Sequence, residues 1–111
     1  MECHAAGAAE LLGDDALVRA VLQDYRTAPI SEAERVLFGY IERLNLEPST
    51  TGPEHVDLLH ESGWSDEAIY DAVMVCGIFN FYNRWVDGTG DHKMRDEDYR
   101  ATGRRIAQFG Y

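Results

Sequence analysis

The chain has 111 residues, 45% of them apolar and 11% aromatic, enough for one modest folded core and too apolar for a disordered segment. Twenty Asp and Glu against ten Lys and Arg leave a formal charge of −10, which argues against a nucleic-acid backbone or an anionic membrane as partner, because both need a basic face. No apolar run approaches the ~20 residues that span a bilayer and no secretory leader is read at the start. The two cysteines, Cys3 and Cys76, are too few for a disulfide scaffold, so the expected setting is the reducing cytoplasm with free thiols.

The pattern is helical throughout, and the expected fold class is all-α, with up to six helices in one domain. Residues 2–12 are Ala-rich with high helix propensity, and Gly13 supplies the stop. Asp14 or Asp15 caps a second helix, from Ala16 to about Arg26, with Leu17, Val21 and Tyr25 on one face. Pro29 breaks the pattern. Ser31 and Glu34 form a capping-box signature ahead of the stripe Val36, Leu37, Tyr40, Ile41 and Leu44. Residues 48–52, PSTTG, read as a loop.

Pro53 then suits the first turn of a helix carrying Val56, Leu59 and His60 on its face, stopped by Gly63. Ser65 caps the longest helix, expected over 66–86, with Asp66 and Glu67 at its positive end. One row on it is Ile69, Val73, Cys76, Asn80 and Asn83. A second is Ala72, Val75, Phe79, Tyr82 and Val86, which leaves the helix apolar on most sides. Such a helix is either central or covered by another subunit, so a homo-oligomer is expected. DGTGD (87–91) reads as a loop and 97–109 as a weaker last helix interrupted by Gly103.

Few residues carry chemistry by spacing alone. Cys3 and His4 pair a nucleophile with a base near a helix start, but consecutive helical residues project about 100° apart and cannot bond well to one another. Without more, they read as an incidental pair near a terminus. Cys76 reads as a small buried hydrophobe. Asn80 and Asn83 read as amides bracing a neighbouring element, or as contacts to a small ligand. His60, Glu61 and Asp57 lack the spacing of a metal site. Residues 87–98 match a calcium loop at Asp87, Asp91 and Asp98 but carry His92 where that loop needs Gly. Residues 88–90, GTG, are too short for a phosphate fingerprint. No cofactor motif is read.

Three stretches, HAAGAAELLGDDALVRAVLQDYRTAPISEAERVLFGYIERL, SGWSDEAIYDAVMVCGIFNFYNRWVDGTG and GRRIAQFGY, together resemble the carboxymuconolactone decarboxylase / alkylhydroperoxidase-like superfamily, in particular its peroxidase-related members. The resemblance implies an oligomeric helical bundle and a thiol-dependent peroxidase, with a peroxide or other small-molecule substrate and a thiol reductant. In that family a helix opens with Cys-x-x-Cys-x-x-x-His, preceded by a Glu. The thiols reduce peroxide, and the His and Glu relay protons.

Counted back from LLGDD, His4 falls on the motif histidine and Cys3 on the variable position before it. Both motif cysteines and the Glu would precede Met1. Placing Cys3 on the second motif cysteine instead leaves His4 at +1 and breaks the spacing to Gly13. The candidate catalytic residues are therefore His4 and Cys3. Peroxidase or decarboxylase activity is expected to be weak or lost, the chain corresponding to the part of a family member after the motif. The alternative is a non-enzymatic helical domain for oligomerisation or small-ligand binding. Residues 31–73 also resemble the family's core unit, with His60 at the motif histidine and no cysteine before it.

Overall fold

A computed structural model describes residues 2–90 and 95–110. Among them every regular element is helical: α1 (Glu2–Leu12), α2 (Asp15–Asp24), α3 (Glu32–Leu46), α4 (Pro53–Glu61), α5 (Asp66–Thr89) and α6 (Asp96–Phe109), with a 3-10 turn at Pro48–Thr50. The all-α expectation holds. The chain forms two compact units, one made of residues 1–29 and 92–111, the other of 30–91.

The first unit contains α1, α2 and α6. Gly13 ends α1 with φ +65°, a conformation that suits glycine. Asp14 caps α2 by accepting from the Leu17 amide at 2.8 Å. Leu17, Val21 and Tyr25 are half-buried, as their spacing predicts. Gly103 does not interrupt α6; it is the point at which α6 meets α1. A Cβ there would lie 2.6 Å from the Ala6 Cβ and 2.8 Å from the Gly7 amide nitrogen. The expected interruption of the helix at this glycine is absent; close approach of two helices requires it instead.

The second unit contains α3, α4 and α5. The Ser31–Glu34 capping box forms in both directions, with Ser31 Oγ accepting from the Glu34 amide at 3.2 Å and Glu34 Oε2 accepting from the Ser31 amide at 2.8 Å. These bonds to Ser31 hold the Glu34 carboxyl below its ordinary pKa. The indole N–H of Trp64 donates to the Ala33 carbonyl at 2.8 Å, tying the α4–α5 turn to the start of α3. Leu59, beside that turn, is fully buried, and Ile69 nearly so.

Four local expectations are corrected. Residues 48–50 wind into a 3-10 turn rather than an open loop, with the Thr50 hydroxyl donating to the Glu47 carbonyl and accepting from Arg43. His60 leaves the apolar face of α4; its Nε2 lies 2.7 Å from Asp66 Oδ1 across the Gly63 turn. Helix α5 runs three residues beyond Val86. The Thr89 hydroxyl donates back to the Trp85 carbonyl and Gly90, at φ +69°, forms the left-handed end. Asp87 is therefore helical, which removes the first ligand of the calcium-loop reading; Asp91 and His92 lie outside the described residues.

Candidate functional site

Cys3 and His4 stand in the first turn of α1. Cys3 is a half-exposed free thiol and the sole cysteine of its unit; Cys76 belongs to the other unit. Consecutive on the helix, Cys3 and His4 project about 100° apart, an offset that does not favour a hydrogen bond between them. His4 is half-buried. Burial first, and the positive charge of the amino terminus second, lower its pKa below 6.5. At neutral pH the ring is thus an uncharged imidazole, able to take a proton and not to supply one. The arrangement offers one thiol and one neutral base side by side, without the second thiol that dithiol chemistry needs.

The two asparagines on α5 separate in role. Asn80 Nδ2 donates to Asn45 Oδ1 on α3 at 2.7 Å and to the Cys76 carbonyl at 3.0 Å, while its Oδ1 accepts from Arg84 at 2.6 Å. It braces α3 against α5, one of the two roles expected of an amide on that row. Asn83 is exposed and makes no such bond, so it does not share that role. Cys76, half-buried under Asn80, packs as part of the same seam.

His55 Nδ1 accepts from the Gly52 amide at 3.0 Å, so the Glu54 carboxylate 3.3 Å away cannot also be bonded through that nitrogen. Among the described residues no three His, Cys, Asp or Glu side chains cluster as a metal would need.

The largest feature lies on the other side of α5. At 100° per residue, Tyr70, Met74, Val75, Ile78, Phe81, Tyr82, Trp85 and Val86 occupy one continuous arc. They are exposed by 72, 59, 53, 47, 58, 57, 62 and 43% respectively. Ile69, Val73, Cys76 and Asn80, buried or half-buried, occupy the opposite arc. Beyond Asp71 the exposed arc carries no charged residue up to Val86. Phe81 meets Tyr82 edge-on at 5.4 Å and Trp85 at 5.9 Å, so the aromatics form one surface. Gly77 borders the arc, with open space where its Cβ would be. The row of Tyr70, Met74, Ile78, Phe81 and Trp85 has spacing 4-4-3-4 and lies beside the two rows expected from the sequence.

No protein-family model matches the chain, and no curated protein matches it. Among the described residues no helix is long and apolar enough to cross a membrane.

Proposed function

We propose that the chain is a helical assembly domain that pairs with a second copy of itself through α5. The observation that carries this reading is the exposed aromatic arc from Tyr70 to Val86, which carries a single charged residue, Asp71, near its start. Four aromatics exposed by more than half, with four aliphatic neighbours, present roughly 900 Å² of side-chain surface. That exceeds the ~300–600 Å² of the largest apolar patch on an ordinary monomer and reaches the ~800 Å² per partner of a stable interface.

An antiparallel arrangement suits the charges. It opposes the two helix dipoles and separates Asp66, Glu67 and Asp71 from their copies, which a parallel pair would bring together. Phe81→Glu sets a carboxylate among the arc's aromatics, beside Tyr82 and Trp85. The expected outcome is loss of concentration-dependent association with the helical circular dichroism retained. Identical elution of wild type and variant at all concentrations would refute the pairing.

A second reading keeps the resemblance to the alkylhydroperoxidase-like superfamily, whose bundle and oligomer would accommodate such a surface. It is favoured by the half-exposed Cys3 thiol beside a neutral His4. The Cys3 thiolate attacks one peroxide oxygen and the O–O bond breaks. The thiol becomes a sulfenic acid, and the departing alkoxide takes the proton released from the thiol, with His4 as the nearby carrier. Two equivalents of a thiol reductant then restore Cys3, releasing water and a disulfide. With no dithiol partner this turnover is expected to be slow. Peroxide consumption that Cys3→Ser leaves unchanged would remove this reading without touching the first.

A further inference from the structure

We infer that the first unit carries a binding site for a small oxyanion, a phosphate or carboxylate group, held by Arg100 and Arg104. The two guanidiniums stand one turn apart on the same face of α6 and line a cleft of about 390 Å³ with Arg19 of α2. Ala6 and Ala9 on α1, with Gly13 just past its end, line it with little side-chain bulk.

Partnering singles these arginines out. Arg19 bonds Asp15 at 2.6 Å, Arg26 bonds Asp24, and Arg35 reaches Glu32 and the Ile30 carbonyl. Arg43 donates to Thr50, Arg84 to Asn80, and Arg95 to Asp98. Among the described residues Arg100, Arg104 and Arg105 have no such acceptor, in a chain with twice as many acidic as basic side chains. Arg105 lies about 100° round the helix and does not line the cleft. The charge distribution supports the same placement. Seven of the ten basic residues fall in the first unit beside eight acidic ones, whereas the second unit has three basic and twelve acidic.

Guanidinium forks are matched to planar carboxylate or phosphate oxygens, and two of them one turn apart can hold a single group from two directions. Arg19 keeps donors beyond the one given to Asp15, so it can contribute a further contact. Asp15, bonded to Arg19, and Glu10 also line the cleft, and of the two Glu10 has no arginine among the described residues bonded to it. Its carboxylate opposes a dianion and offers an acceptor to a hydroxyl or amine elsewhere on the ligand, so the site favours a singly charged group on a polar molecule.

Amide chemical shifts of the full chain, titrated with inorganic phosphate and separately with succinate at constant ionic strength, test this. Saturable shifts are expected at Ala6, Ala9, Gly13 and Arg104 in at least one titration, and the stronger of the two distinguishes phosphate from carboxylate. Arg100→Gln or Arg104→Gln should weaken binding about tenfold, Glu10→Gln should strengthen it, and Arg105→Gln should leave it unchanged. Shifts that never saturate with either anion overturn the site. So does an Arg105→Gln variant that weakens binding as much as Arg104→Gln, because the anion would then be sampling general positive charge.

Discussion

At the scale of single residues, the chemistry turns on what each polar group is already bonded to. His4 has its pKa lowered by burial, so the unfolded chain binds that proton more readily than the folded one. Its penalty on folding is absent above pH 6.5, grows as pH falls through that unfolded value, and levels off below the folded-state pKa. His4→Gln removes the titrating group; thermal unfolding midpoints measured from about pH 7 to about pH 5 should fall less steeply in the variant than in wild type. An equal slope in both would show that His4 does not contribute. Asn80 is engaged on both sides of its amide, toward Asn45 and Arg84. Asn80→Ala is expected to cost about 1 kcal/mol in chemical denaturation, since the two groups it leaves, on Asn45 and Arg84, are exposed and water can still reach them. Asn83→Ala, on an exposed residue without that bonding, should be close to neutral.

At the scale of elements, the legible features were those set by local chemistry. The Ser31–Glu34 box, the Asp14 and Ser65 caps and the glycine stops at 13 and 63 each satisfy groups within a few residues, so sequence alone exposes them. What escaped was set by distant partners. Gly103 looks like a flaw in α6 until Ala6 and Gly7 are placed against it. The Trp64 bond to Ala33 spans 31 positions and leaves no spacing signature. The helical state of residues 87–89 was masked by a glycine-rich composition that usually marks a turn.

The cleft arginines were visible as RATGRR, yet only contact with α1 distinguishes Arg100 and Arg104 from Arg105. The two glycines yield opposite predictions. Gly103→Ala should destabilise by about 1–3 kcal/mol despite better helix propensity, because backbone atoms at 2.8 Å cannot retreat cheaply. Gly88→Ala, with open space at its Cβ, should stabilise by roughly 0.5–1 kcal/mol. Urea midpoints of the two variants check the pair together.

At the scale of the whole molecule, the balance between covered and uncovered apolar surface sets the expectation. Among the described residues only Ala28, Leu59 and Ile69 are buried hydrophobics, while eight large apolar side chains of α5 face solvent on one arc. Burial of an arc this size contributes on the order of tens of kcal/mol before the ordering costs of association, at ~25 cal/mol per Å², so leaving it wet is the unfavourable state. The sequence had already pointed there, since a helix apolar on most sides needs more than one neighbour. It did not show which arc α3 covers; the Asn45–Asn80 bond settles that, and the aromatic arc is the remainder.

Self-association through α5 is the principal claim, and the molar mass of the intact chain at sedimentation equilibrium tests it most directly. The α5 pairing predicts a mass rising with concentration to twice the 12.5 kDa of the single chain, and a Phe81→Glu variant that stays at the single-chain value. A wild-type chain that remains at 12.5 kDa over the full concentration range would contradict it.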